Sequence, residues 1–335
     1  MDLLTHAPRI EIDLAEEVLN SSYGIRGLLS TLPSERDQNF LVSTTAGKKL
    51  VMKIVNAAED RDLTDAQNKA LIHASSRLAF TPQLVATIDG ASMSEVQAET
   101  GTHHVRVVTY LEGVPLAQVK LKTTPLLNDI GKKLGAFDKV FEEFNHNAFH
   151  RDFHWDIANG VRVVSDYLSL VQDRELRQSI SSFVDEFQVN FCLVSQELRK
   201  SIIHADANDH NVIIRDERVV GLIDFGDMIF SYTVADPAIA IAYLILDHSD
   251  PLSVAVDVLT GYFTENSLNK AEVELVWDLA LLRLCMSVCL AERQERAKPD
   301  NEYLTVSQKS IRRSLPRLLS ISRDLAIDTL RHTST

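Results

Sequence analysis

Asp206, Asn211 and Asp224 stand in two polar segments set among aliphatic residues, "IIHADANDHNVII" and "GLIDFGDM". Polar atoms cost free energy to bury unless they are paired, so apolar runs that end in Asp and Asn present those groups to something. A carboxylate such as Asp206 can take the proton of a hydroxyl, and the oxygens of Asn211 and Asp224 suit a hard divalent cation. Three readings compete at this point: a metal site, a phosphate site, or turns, where Asp and Asn are also favoured.

Elements must bring these residues together. "NVIIRDERVVGLIDF" reads as two short strands joined by the polar "RDER" turn, which folds Asn211 and Asp224 toward the same end of a hairpin. "ADPAIAIAYLIL" then starts a helix, with Asp236 as its N-cap and Pro237 at the first helical position, a structural role for that aspartate. Up to about Tyr110 the β-type runs "NFLVSTT", "KLVMKIVN" and "VRVVTYL" surround one helical stretch, Thr64 to Leu78. Lys53 lies inside the second of these strands, placed either to meet an anionic phosphate or simply on a solvent face. Gly113 and Pro115 in "TYLEGVPL" break the pattern, and beyond them the chain is mostly helical. The expected fold is α+β and bilobal, with a small sheet-plus-helix lobe over residues 1–112 and a larger, mainly helical lobe over 113–335.

Composition narrows the partners. With 34 Lys+Arg against 47 Asp+Glu the formal charge is −13, which disfavours nucleic acid and anionic membranes and suits a cationic or metal-accompanied substrate. The apolar run Ala238 to Leu246 is too short to span a bilayer, and the first residues carry no signal-like core, so a cytoplasmic location is expected. Cys192, Cys285 and Cys289 form no zinc-type spacing and read as buried, reduced thiols. The histidines at 146, 150 and 154 repeat every four residues, yet lack a carboxylate in a recognisable zinc motif. Oligomeric state is not legible.

Read in order, His204-Ala205-Asp206, Asn211 and Asp224-Phe225-Gly226 form the H-x-D-x-x-x-x-N plus D-F-G arrangement of the protein-kinase-like fold. The chain resembles the aminoglycoside phosphotransferase superfamily, the small-molecule branch of that fold. Within it the chain is similar to the hydroxylysine kinases and the phosphotransferase domains fused to aminotransferases. "LPSERDQNF", "YLEGVPLA", "HRDFHWDIAN", "HADANDHNVII", "GLIDFGDM" and "PDNEYLTV" carry that likeness.

The resemblance implies transfer of the γ-phosphoryl of ATP or GTP to a hydroxyl of a small cationic amine or amino acid. It implies Asp206 as catalytic base, Asn211 and Asp224 as ligands of Mg2+, and Lys53 on the nucleotide phosphates. Tyr110, Leu111 and Glu112 would hold the purine through backbone groups, and Ser34, in a segment without the glycine-rich loop of protein kinases, would help cover the phosphates. Asp65 or Gln67 stands where the acidic partner of the strand lysine is expected, and Ala205 replaces the usual glycine. Absence of A-P-E after "DFGDM" argues against a protein substrate. Asp209, Asp227, Trp155 and Asp156 could line the acceptor pocket, the acids pairing with ammonium and the indole adding a cation–π contact, although Asp156 and Asp209 could equally cap turns. Choline, ethanolamine, homoserine and aminoglycosides are alternative acceptors, and a nucleotide-binding module without turnover is the alternative of a different class.

Overall fold

Alternation in "KLVMKI" buries Leu50 and Met52 on one face of a strand, the pattern of a half-buried antiparallel sheet. The computed structural model describes residues 7–34, 36–297 and 307–334. Two compact units divide it, Met1–Glu112 and Gly113–Thr335.

In the first unit, helix α1 (Ile12–Tyr23) precedes strands β1 (Gly27–Leu32), β2 (Gln38–Thr44) and β3 (Lys49–Ile54). Helix α2 (Arg61–Ser75), then β4 (Leu84–Val85), β5 (Ser94–Ala98) and β6 (Gly101–Thr109) complete it. The antiparallel sheet runs β1-β2-β3-β6-β4, with β5 also paired to β6. Ala15, Val18, Leu19 and Tyr23 of α1 pack on Phe40, Val42, Met52, Val105 and Val107, and the Tyr23 hydroxyl donates to the Val105 carbonyl at 2.6 Å. Helix α2 starts three residues before the expected Thr64, because the Asp60 carboxylate caps it by accepting from Asp62 N at 2.8 Å.

The second unit contains β7 (Val114–Pro115), α3 (Thr124–Phe141), α4 (Gly160–Tyr167) and α5 (Arg174–Val194). There follow β8 (Lys200–Ile203), β9 (Val212–Arg215), β10 (Arg218–Leu222) and β11 (Ile229–Tyr232). Helices α6 (Ala235–Leu244), α7 (Pro251–Tyr262), α8 (Lys270–Ala297), α9 (Gln308–Leu319) and α10 (Arg323–Arg331) end it. Helices α3 and α7 touch backbone to backbone: a Cβ on Gly131 would come 1.8 Å from the Val258 carbonyl oxygen, and one on Gly261 would come 1.9 Å from that of Asn128. α3 in turn supports the β9–β10 hairpin, since its Asp129 accepts from Val219 N of β10 at 2.8 Å. The whole of "PDNEYLTV" lies outside the described residues. Cys285 and Cys289 are buried, whereas Cys192, expected to be buried, is exposed. Among the described residues no helix is long and apolar enough to cross a membrane.

Candidate active site

Strands β9 and β10 pair antiparallel around Asp216 and Glu217, both with positive φ (51° and 56°), the conformation a tight two-residue hairpin turn requires. At the open end, Ile223 N donates to the Asn211 carbonyl at 2.9 Å, so Asn211 and Asp224 emerge side by side from opposite strands. Asp224 takes a left-handed conformation (φ 65°), and its Oδ1 accepts from Gly226 N at 3.3 Å. Arg151 holds the following backbone by donating to the carbonyls of Gly226 and Met228.

Asp206 lies in the loop between β8 and β9. Its Oδ1 accepts from Asn208 Nδ2 at 2.9 Å and from Arg283 Nη2 at 3.0 Å, and its Oδ2 accepts from Asn211 Nδ2 at 2.7 Å. Burial, reinforced by the nearby Asp227 carboxylate and opposed by Arg283, pushes the Asp206 carboxyl up to about 8. Asn211 also donates to the Asp206 carbonyl at 2.9 Å. The backbone carbonyl of that pair can only accept, so the amide nitrogen of Asn211 must face it and its Oδ1 is turned away.

Two buried groups brace this loop. Asp206 N donates to His204 Nδ1, while His204 Nε2 lies 3.1 Å from the Ile223 carbonyl, a pair of bonds that fits one neutral tautomer with the proton on Nε2. Burial lowers the His204 pKa, in keeping with a neutral ring that braces rather than titrates. Asp236 accepts from His204 N at 2.8 Å and Ala205 N at 2.7 Å. The helix begins one residue before Asp236, so that side chain is not the expected N-cap; it reaches back from the first turn to fix the loop. Ala205 sits at φ 64°, a left-handed position where the usual glycine meets no Cβ penalty.

The acceptor candidates separate by environment. Asp209 Oδ1 is buried without a hydrogen-bond partner, and burial raises its pKa. Asp227 is buried and near enough to Asp206 to perturb it. Asp156, in contrast, caps its own turn, accepting from Ala158 N at 3.0 Å and Ser231 Oγ at 2.5 Å. Trp155 already holds a cation: the Arg283 guanidinium lies 4.4 Å from its ring centre and donates to its carbonyl at 3.0 Å. Arg283 and the anchoring role of Asp236 are what sequence reading missed. The signal for Arg283 was a lone arginine in the apolar run "LALLRLCMSVCLA", where a charge must find a partner.

In the first unit Lys53 is buried on β3, opposite Asn39 and Arg106. Of its two expected acidic-side partners, Asp65 pairs instead with Lys69 at 2.7 Å, whereas Gln67 is buried on the inner face of α2. Ser34 Oγ accepts from Asp37 N at 3.2 Å and so shapes its loop. Beyond β6, Tyr110 N donates to the Lys49 carbonyl at 3.3 Å, and Lys49 pairs with Glu112 at 3.1 Å. Leu111 follows directly, with its side chain half-buried.

Among the described residues no three His, Cys, Asp or Glu side chains gather as a closed metal cage. His150 stacks on Phe230 with ring centres 4.3 Å apart and bonds Asn145 Oδ1 at 2.7 Å, while His146 caps a short turn. Asn211 and Asp224 nevertheless fit Mg2+, which takes one or two protein oxygens and completes its shell with phosphates and water.

The chain is similar to known proteins along most of its length. The "Phosphotransferase enzyme family" matches residues 29–273. A hydroxylysine kinase of Xenopus laevis is 30% identical over 336 residues, covering 92% of this chain and 89% of the relative. A microcompartment-associated aminopropanol kinase superposes with a TM-score of 0.71 at 15% identity, over 97% of this chain and 99% of that one. An amicoumacin kinase, solved in complex with AMP-PNP, Ca2+ and Ami, superposes with a TM-score of 0.70 at 15% identity over 95% of this chain and 94% of that one.

Proposed function

This chain belongs to the phosphotransferase enzyme family, and from that premise we propose that it moves the γ-phosphoryl of ATP or GTP to the hydroxyl of a small cationic amino acid, with 5-hydroxylysine as the first acceptor to test. One observation carries the reading: a single hairpin end brings a would-be base, Asp206, together with two oxygen ligands, Asn211 and Asp224. In the proposed reaction Asp206 takes the acceptor hydroxyl proton as the oxygen bonds to the γ-phosphorus. The bond from that phosphorus to the β–γ bridging oxygen breaks, and the nucleoside diphosphate leaves. Asn211 and Asp224 would hold Mg2+, which supplies charge neutralisation on the phosphates when bound.

Lys53, buried on a sheet strand, is assigned to the nucleotide phosphates as the kinase-like resemblance implies; Ser34 and the backbone of Tyr110, Leu111 and Glu112 are assigned to cover the phosphates and hold the purine. Asp209, with a buried and unpartnered carboxylate oxygen, is the group best suited to the acceptor ammonium, and Asp227 adds negative charge. Asp156 is withdrawn from this role by its turn-capping bonds, and Trp155 serves through Arg283 rather than by meeting the ammonium. Homologues with a hydroxylated amine or amino acid in their names, including homoserine kinases at 25% identity, support the acceptor class.

The test is Mg2+-dependent consumption of ATP and GTP, run in parallel, with 5-hydroxylysine, homoserine, aminopropanol, choline and ethanolamine. The expected result is stimulation by 5-hydroxylysine above the others. Stimulation by choline or ethanolamine alone would move the acceptor away from amino acids, and no stimulation by any compound despite nucleotide binding would overturn the assignment of turnover.

A further inference from the structure

In the ionised form that acts as a base, a carboxylate offers about four acceptor positions. Asp206 has three of them filled: two on Oδ1, by Asn208 and Arg283, and one on Oδ2, by Asn211. Its side chain keeps 20% of its surface while Arg283 keeps 2%, so the carboxylate can be approached and the arginine cannot. The approach therefore meets one remaining acceptor position, on Oδ2.

Arg283 is itself fixed from three directions. It projects from α8, donates through Nη1 to the Trp155 carbonyl, stacks on the Trp155 ring and interacts with the buried Tyr243 hydroxyl of α6. Its Nε is buried with no hydrogen-bond partner, an unfavourable arrangement that an apolar side chain of similar volume would avoid. A lysine could supply the charge but neither the second bond nor the planar stack.

We propose that Arg283 is a positioning residue for phosphoryl transfer, closing Oδ1 of Asp206 so that Oδ2 takes the proton of the acceptor hydroxyl. Asn208 assists it from the same oxygen. This rests on the reading of Asp206 as the base. It adds a residue 77 positions away in sequence whose contribution runs through Asp206 and not through nucleotide contacts.

The experiment measures kcat and KM for the wild type, Arg283→Lys, Arg283→Met and Asp206→Asn, and for each Arg283 change combined with Asp206→Asn, with a thermal melt of every protein. Removing an oriented base lowers turnover by about 10²–10⁴-fold, so Arg283→Met is expected to lower kcat by at least ~10²-fold and Arg283→Lys by at least ~10-fold, with nucleotide KM held within about 3-fold. On the Asp206→Asn background, where no base is left to orient, the same changes should cost less than about 2-fold. Equal losses on both backgrounds would overturn the proposal and leave Arg283 a packing residue; so would an Arg283→Met enzyme with near wild-type kcat. Should Arg283→Met fail to fold, Arg283→Lys decides alone, and if Asp206→Asn has no measurable turnover the split between kcat and KM decides. A wild type inactive with every acceptor would overturn the functional reading and this inference with it, whereas an active wild type with indifferent Arg283 variants overturns the inference only.

Discussion

Asp206 and Asp224 carry the same functional group, but the surroundings of each carboxylate divide their work. Asp206 is enclosed by Asn208, Asn211 and Arg283, a setting that orients a proton acceptor, whereas Asp224 is exposed at a strand end, where a cation can reach it. Asp206→Asn should therefore lower turnover by about 10²–10⁴-fold while Mg2+-nucleotide affinity stays within a few-fold. Asp224→Asn should weaken Mg2+-dependent nucleotide binding itself, by about 10-fold or more, because a charged ligand becomes a neutral one. Calorimetry with and without Mg2+, beside a turnover assay, separates the two; equal loss of binding in both variants would overturn the division. The linear spacing of Asp206, Asn211 and Asp224 made these three legible in the sequence, because one loop and one hairpin hold them. Arg283 and Asp236 meet the loop from 77 and 32 residues away, across helix packing that no local pattern encodes.

Elements whose sequence carries both a period and a boundary signal were the readable ones. β2 and the start of β3 alternate, β6 and the β9–β10 hairpin are short apolar runs, all are bounded by turns, and each falls within a residue or two of expectation except at the start of β6. α1, β1 and β5 gave weaker signals: β1 has no fully buried position, and β5 is a hairpin partner of β6 whose only fully buried side chain is Val96. α6 hid its start because Asp236 bonds backward to the loop instead of capping. The link from α6 to α9 was also invisible. Asp247, at φ 59° just beyond α6, forms two hydrogen bonds with Arg313 and accepts a third from Ser314, and the Arg313 guanidinium first of all holds its carboxyl down at about 2. A folded pKa below the unfolded 3.8 means the contribution is fully present above about pH 4 and is lost as pH falls through about 2. Asp247→Asn tolerates the same backbone conformation. Its Tm should lie below that of the wild type near neutrality by about 1–2 °C, as suits an exposed pair, and the gap should close on acidification. A gap that persists unchanged below pH 3 would assign the loss to the Ser314 contacts instead of the ion pair.

At the scale of the whole chain, the family match spans residues from both compact units, so the phosphotransferase assignment does not rest on the hairpin motif alone. The excess of 47 acidic over 34 basic side chains adds a field with a kinetic consequence. A cationic acceptor is drawn toward a molecule of charge −13, and salt shortens the reach of that attraction from about 10 Å at 0.1 M to about 3 Å at 1 M. With nucleotide and Mg2+ both saturating, their own salt dependence drops out and only acceptor encounter remains exposed to ionic strength. The acceptor kcat/KM should then fall by about 3–10-fold between 0.05 and 0.5 M NaCl, while kcat at saturating acceptor changes by less than about 2-fold. An acceptor analogue without a net positive charge should show no such fall, and Asp209→Asn should flatten the salt dependence for the cationic one, because it removes the acid assigned to the ammonium. Salt-independent kcat/KM for the cationic acceptor would mean that shape and hydrogen bonding, and not charge, select it, which would remove Asp209 and Asp227 from the acceptor site while leaving Asp206, Asn211 and Asp224 in theirs.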